Sequence, residues 1–581
     1  MARPSSTAAA SVCLGVALVA LLFPASSLSL RATVGAADVS SELANEARGR
    51  GSTGVRRLGG PEGRCHYPAA ASDPGRSYPR PRGGYVDYLY LYYCVIGGER
   101  RPALGCAAMA AWLAVLFYLL ADTAAAYFCS SLEGLSRLLR LPPAIAGATL
   151  LSLGNGAPDA LSALASFDGR GKGGGGGAAA VGLSGVLGGA MFVSAAVLGV
   201  VALRAGGQGV AVDRASFFRD AAFLLLALAA VAVVITAGEV GIWGAVAFAS
   251  LYLVYVLAVA FTPEHWTRRQ DEEEDHGPAA ASSELHSVIE TKFYTDQEAR
   301  DLLLADTAAP LLQYYAGDNI SGGGNNKSTF WTVMRVLALP LTLPRRLTIP
   351  DASKERWSKT TAVTAATLAP IFLAFLCSHR ATGSPFPAVL LGGLVGIALG
   401  LLAFLTTEPS APPTRFLAAW LAGGFAMSVA WAYVIANEVL SLLVSASVVL
   451  YVDAAALGVT VLAWGNSLGD LIANVAVASR GGPCGAQVAV SGCYGGPVFN
   501  VLVGLGLSLL LSCWAGYPQT VKIPRESGLY RTLGFVVVGL VWALVMLPRR
   551  GMRVDRTLGF GLLAIYLCFI CINISQLKNE R

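Results

Sequence analysis

Gly154-Asn155-Gly156-Ala157-Pro158-Asp159 and Gly465-Asn466-Ser467-Leu468-Gly469-Asp470 share the pattern Gly-Asn-x-x-x-Asp, and each lies inside a long apolar run. Glycine and proline in mid-span loosen a helix and leave carbonyl oxygens without their usual partner, so both stretches are expected to interrupt their helices. Asn and Asp four residues apart share one helix face, a turn apart. The stripe continues through Ser162 and Ser166 in the first copy and Asn474 in the second. Every one of these groups offers oxygen, the ligand atom that hard cations such as Ca2+, Na+ and K+ take. An Asp at the bilayer centre costs roughly 2.5–3.5 kcal/mol, and nothing in apolar packing offsets that cost twice over. The competing reading, an interfacial helix cap, would need the same accident at two matching places.

The surroundings fix the class. Of 581 residues, 55% are hydrophobic and 13% charged, against about 25% charged in an ordinary soluble domain. So little charge cannot cover a soluble surface, and so much apolar content excludes global disorder. Neither a collagen nor a coiled-coil repeat is present. The net charge of +6 is modest for this length and gives no case for nucleic acid. The expectation is an all-α polytopic membrane protein.

Residues 1–30 carry Arg3, an apolar stretch from Val12 to Phe23 and then Pro24-Ala25-Ser26-Ser27, the pattern of a signal peptide or an uncleaved anchor. Residues 31–100 form a polar extracytoplasmic segment. Spans are expected near 104–128, 141–167, 180–204, 219–237 and 241–261. After a polar loop at 262–359 they resume near 360–377, 386–405, 415–445, 455–479, 487–513, 529–547 and 556–574, giving about twelve transmembrane helices. Residues 101–261 and 411–581 then make two units of five spans, with two extra spans at 360–410. The end of the polar loop, Arg335 to Pro350, alternates Leu, Pro and Arg and is expected to lie in the interface.

Short loops on the side of the long loop carry Arg137, Arg140, Arg204, Arg214, Arg219, Arg415, Arg480, Arg549, Arg550, Arg553 and Arg556. Those on the other side carry Arg170, Lys172, Arg380, Lys522, Arg525 and Arg531. The excess makes the long loop cytosolic, in agreement with the signal peptide. Span 2 and span 9 differ by an odd number and so run in opposite directions. Each is followed by a Gly-rich span with a matched Phe, Gly188-Gly189-Ala190-Met191-Phe192-Val193 and Gly495-Gly496-Pro497-Val498-Phe499-Asn500. Two five-span units in opposite orientation form an inverted repeat, which places a site near the midplane and supports alternating access.

On these residues the sequence resembles the sodium/calcium exchanger superfamily, within it the plant cation/calcium exchangers, and it is similar to the mitochondrial sodium/calcium/lithium exchanger. The likeness covers most of 85–574, including Cys94 and Leu343-Pro344-Arg345-Arg346-Leu347-Thr348-Ile349-Pro350. It implies that Asp159 and Asp470 are the central cation ligands and that Asn155, Asn466, Ser467 and Asn500 contribute oxygens. Two positions depart from the family pattern. Gly156 and Val193 stand where many exchangers carry polar side chains, which puts sodium use and the usual exchange ratio in question.

The function expected is therefore a secondary antiporter, not an enzyme, moving Ca2+ and/or K+/Na+ in exchange for Na+ or H+. No P-loop is present, so an ion gradient supplies the energy. No resident cofactor is expected; cations bind in passing, and the partners are the lipid bilayer and those cations, with no nucleic acid or nucleotide. The membrane is the plasma membrane or an endomembrane such as vacuole, ER or Golgi, and the sequence is silent on oligomeric state. A passive cation channel is an alternative. An intramembrane aspartyl protease would need Gly-x-Gly-Asp, which neither motif contains. Asp122 and Asn437-Glu438 lie at similar depth in spans 1 and 8, as path residues or as helix caps. Cys65 and Cys94 flank the polar N-terminal segment and are candidates for one disulfide. Cys568 and Cys571 have no second pair to complete a metal site. Asn319 and Asn326 begin glycosylation sequons that a cytosolic loop leaves silent.

Overall fold

A computed structural model describes residues 84–97, 101–139, 152–167, 176–205, 212–261, 342–353, 356–379, 386–409, 411–413, 416–480 and 482–579. Residues 1–30, expected to be a signal peptide or an anchor, most of the polar N-terminal segment, most of the long loop, Cys65 and both sequons lie outside the described residues. Cys94 is disulfide-bonded.

The membrane domain is built from α1 (Pro102–Leu132), α2 (Ser152–Phe167), α3 (Ala178–Arg204), α4 (Arg214–Ala237), α5 (Ile242–Val259), α6 (Lys359–Ser378), α7 (Phe386–Thr406), α8 (Leu417–Leu450), α9 (Ala454–Val475), α10 (Ala486–Gly516), α11 (Ser527–Arg549) and α12 (Arg556–Gln576). All but α2 are long and apolar enough in their described residues to cross a membrane. The helical form follows from the medium, since in hydrocarbon each backbone N–H and C=O must find its partner within the chain.

α3 and α10 run through the centre, and their Gly- and Ala-rich faces let other backbones come close. A Cβ at Gly188 would sit 2.5 Å from the Val459 carbonyl oxygen of α9. The packing around these two helices is reciprocal. α3 packs against α9, α11 and α12 of the second unit, while α10 packs against α2, α4 and α5 of the first. Phe192 of α3 meets Tyr566 of α12 with ring centroids 5.8 Å apart; Phe499 of α10 meets Tyr252 of α5 at 5.5 Å. The loops repeat the relation at both ends. Between α4 and α5, β1 (Glu239–Val240) pairs antiparallel with β2 (Val521–Lys522), which lies between α10 and α11; Glu239 stands opposite Lys522. At the other end, the Val212 N–H before α4 donates to the Met552 carbonyl before α12, at 2.8 Å. These cross-connections join loops that the inverted threading assigns to the same side.

α6 and α7 stand apart as a hairpin. Gly392, Gly396 and Gly400 form one stripe of α7, and their faces lie against Pro370, Thr367 and Val363 of α6. Small residues at this spacing let membrane helices approach closely. The opposite face of α7 exposes Leu390, Leu391, Leu394 and Leu405.

One expectation needs correction. The helix is continuous through both Gly-Asn-x-x-x-Asp stretches, with Pro158 inside α2. The irregular backbone lies elsewhere, in π-turns at Ala124–Cys129, Phe192–Val197, Gly458–Leu462 and Asn500–Leu505. Pro158 removes one N–H, but Ala157 and Pro158 are buried, and that packing holds the helix together.

Candidate functional site

α2 and α9 meet near the centre of the bundle and carry the two motifs. Asp159 and Asp470 are buried, with 3% and 6% of their surface exposed; Asn466, Ser467 and Asn500 are buried with them. Asn155 lies in α2, but its side chain is outside the described residues.

The partners cross between repeats. Asn500 of α10 donates from Nδ2 to Asp159 Oδ2 of α2 at 2.6 Å. Asn466 of α9 donates from Nδ2 to the Ser162 hydroxyl of α2 at 3.1 Å. A Cβ at Gly189 of α3 would lie 3.3 Å from Ser467 Oγ and 3.4 Å from Asp159 Oδ2, so hydroxyl and carboxylate face one spot on α3. Asn474 donates to the Asp470 carbonyl, its own helix one turn back, at 2.8 Å. Asn500 follows Asp470 in the chain and belongs to the same repeat. The structure gives Asn500 to Asp159.

The site is lopsided as a result. Asp159 has Ser467 and Asn500 beside it. The equivalent positions of the other repeat are Gly156 and Val193, which bring no side-chain oxygen. A Cβ at Gly496, the counterpart of Gly189, would meet nothing within 4 Å. Gly156 has a steric reason as well: a Cβ there would overlap Asn500 Oδ1 and come within 2.6 Å of Phe499 Cδ1.

The donor set fits a hard cation. Asn466 Oδ1, Ser467 Oγ and Asn500 Oδ1 are buried without a hydrogen-bond partner, and buried acceptors left unpaired are costly unless something else engages them. Among the described residues no group of three or more His, Cys, Asp or Glu stands ready for a metal ion. Carboxylate, amide and hydroxyl oxygens are ligands for Ca2+ and the alkali ions rather than for zinc.

The sequence profile of the family described as Sodium/calcium exchanger protein matches residues 109–261 and 420–575, the blocks that hold α1–α5 and α8–α12. The chain is a member of the sodium/calcium exchanger family. It is 44% identical to Cation/calcium exchanger 1 of Arabidopsis thaliana over 90% of this chain and 89% of that protein. Cation/calcium exchanger 2 of the same plant is 42% identical over 86% and 87%. The Mitochondrial sodium/calcium exchanger protein of Homo sapiens is 29% identical over 84% of each chain.

Other buried charges of this exchanger-family chain are paired. Asp122 Oδ2 of α1 lies 2.7 Å from Arg345 Nη1. Glu438 of α8 accepts from the Tyr88 hydroxyl at 2.6 Å and from the Tyr85 N–H. Both carboxylates therefore bind neighbouring segments rather than standing open in a path. Sequence reading missed Asp220, which is fully buried in α4. It accepts from Arg219 Nε at 2.8 Å, Ser491 Oγ at 2.7 Å and the Tyr255 hydroxyl at 3.2 Å. Its signal was an Asp inside the start of an apolar span. Arg219, counted as a loop charge, is bound up with it.

Proposed function

We propose that this chain is a secondary active cation antiporter in which Asp159 and Asp470 bind the cation and alternating access carries it across. The carried ion is Ca2+ and/or K+/Na+, and Na+ or H+ is the counter-ion. The observation that carries this reading is the Asn500–Asp159 contact: a carboxylate of one inverted repeat and an amide of the other, each on its own buried helix, are joined by a hydrogen bond. A binding site shared by two inverted units changes its accessible side when the units rock against each other. The relatives, cation/calcium and sodium/calcium exchangers by name, support the same class.

In this reading Asp159 and Asp470 supply the charge, and Asn466, Ser467 and Asn500 supply neutral oxygens. Asn155 joins them on α2, one turn before Asp159. Gly156 and Val193, the counterparts of Ser467 and Asn500, offer no side-chain oxygen, so a cation on the side of Asp470 relies more on water and backbone carbonyls. An ion that tolerates fewer ligands, or a proton, is favoured on that side. This is the basis for H+ or K+ in place of a purely sodium-driven exchange.

The test is radiotracer Ca2+ uptake into vesicles under imposed Na+, K+ or pH gradients. Antiport requires uptake to depend on a counter-ion inside the vesicle and to proceed against the Ca2+ gradient. Uptake that only follows the Ca2+ gradient and the membrane potential would instead identify a channel.

A further inference from the structure

Two segments outside the repeats reach in from opposite faces of the membrane and grip the first helix of each unit. On the N-terminal side, residues 84–97 form a short helix (Tyr88–Tyr90, continuing as Leu91–Val95) against α8. Glu438 there accepts from Tyr88 and Tyr85, and the Tyr88 hydroxyl in turn accepts from Trp112 Nε1 of α1 at 3.1 Å. On the long-loop side, residues 342–353 and 356–358 lie against the bundle. Arg345 is 2% exposed. Besides its ion pair with Asp122, it donates from Nη1 to the Thr123 hydroxyl at 2.9 Å and the Leu119 carbonyl at 3.3 Å. Arg356 donates to the Ala126 carbonyl inside the π-turn of α1 and stacks over Tyr127. Thr348 accepts from Trp431 Nε1 of α8 at 2.7 Å. Within the stretch expected in the interface, Arg345, Thr348, Ile349 and Pro350 are buried while Leu343, Pro344 and Arg346 are exposed, and the Asp122 carboxylate, the Thr123 hydroxyl and the Leu119 carbonyl of α1 satisfy a guanidinium that hydrocarbon would not.

α1 and α8 also cover the motif helices. Phe117 of α1 lies against Gly465, and Phe128 and Phe425 enclose Ala157. Opening the site to either face therefore displaces α1 or α8 from α2 and α9.

We infer that Tyr88 and Arg345 are positioning residues, two latches that hold α8 from the extracytoplasmic face and α1 from the cytosolic face, so that releasing one opens the site to its own side. The inference rests on the antiport reading above. Both latches are engaged in the structure, and both motif carboxylates are buried. Releasing the Tyr88 latch favours the outward-open arrangement, and releasing Arg345 favours the inward-open one, because a two-state equilibrium moves by the contact energy that one state loses.

The test measures the Ca2+ KM at each face, in right-side-out and inside-out vesicles, for the full chain. Tyr88→Phe keeps the ring and removes the hydroxyl; it should lower the outer KM relative to the inner one by about tenfold, the effect of one hydrogen bond to a charged group. Arg345→Gln should shift the ratio by a similar factor the other way, and the double variant should return towards wild type. Should Arg345→Gln fail to reach the membrane because Asp122 is left unpaired, Asp122→Asn/Arg345→Gln removes both charges and must show the same inward shift. A purely structural role would lower flux without moving the ratio. Variants that move it in the same direction, or leave it at the wild-type value with normal protein in the membrane, overturn the latches. Absence of counter-ion-dependent flux in wild-type vesicles would overturn the antiport reading instead. Hydrogen exchange then decides the latches, since each variant must raise exchange on its own face and lower it on the other; equal changes on both faces refute them.

Discussion

Gly156→Ala adds one carbon at the tightest point of the site. The new Cβ would overlap Asn500 Oδ1 and lie 2.6 Å from Phe499 Cδ1, where 3.4–4 Å is ordinary contact. The start of the π-turn in α10 must withdraw by roughly 1 Å to restore normal van der Waals separation. The Asn500–Asp159 hydrogen bond, 2.6 Å long, then stretches to about 3.6 Å and ceases to be one. Asn500 is then held back from the site and its Oδ1 is lost to the cation; a contact between a charge and a neutral polar group is worth about 1.5–3 kcal/mol, so the cation KM should rise by about tenfold to a hundredfold. Asn500→Ala removes the same bond directly, and the double variant should lose much less than the sum of the two, with only the Phe499 contact left to add. Gly496→Ala, where a Cβ meets nothing within 4 Å, is the matched control and should keep the wild-type KM. The assay is tracer uptake against Ca2+ concentration in vesicles matched for protein content. A wild-type KM for Gly156→Ala, or full additivity with Asn500→Ala, would refute the steric argument.

Asp159→Asn and Asp470→Asn should each abolish exchange at normal protein level, because a neutral amide is cheap to insert but cannot balance a cation; flux at the wild-type rate from both would sink the site assignment. Val193→Asn places an amide at the position equivalent to Asn500 and should raise Ca2+ or Na+ affinity relative to H+-coupled flux, measured in the same vesicles; unchanged ion preference would leave Val193 as packing. Asp220→Ala leaves Arg219 without its buried partner and should cost about 3–5 kcal/mol of stability, read as a lower melting temperature with ion preference unaltered. Protease applied to sealed vesicles with the cytosolic face outward should cut near Asp271–Asp275, while glycan on Asn319 or Asn326 would reverse the assigned orientation.

The motif pair made the inverted arrangement and both central carboxylates legible, because Gly-Asn-x-x-x-Asp at Asp159 and at Asp470 is a local pattern and span counting gives its direction. Cross-repeat partnership is not local. Asn500 follows Asp470 in the chain, and only the pseudo-twofold packing of α10 against α2 delivers it to Asp159. The π-turns were equally hidden: Asn500–Leu505 reads as an ordinary apolar helix, and the extra residue in its turn leaves no mark in composition or period. Arg345 looked interfacial because its environment, Asp122, the Thr123 hydroxyl and the Leu119 carbonyl of α1, is assembled from more than two hundred residues away.

Gly156 shows how the two kinds of information meet. Read along the chain, it is a lost oxygen ligand, a weakness on the side of Asp159. In the folded protein it is the clearance that lets Phe499 and Asn500 approach α2, so the missing side chain in one repeat is a condition for the contact between Asn500 and Asp159. Val193 offers no such trade, since its buried side chain occupies the place where the other repeat keeps an amide. The unequal halves of the site thus have two separate causes, one steric and one chemical. Only the second should yield to a single polar substitution: an oxygen restored at 156 must displace Asn500, whereas one restored at 193 adds to what is already there.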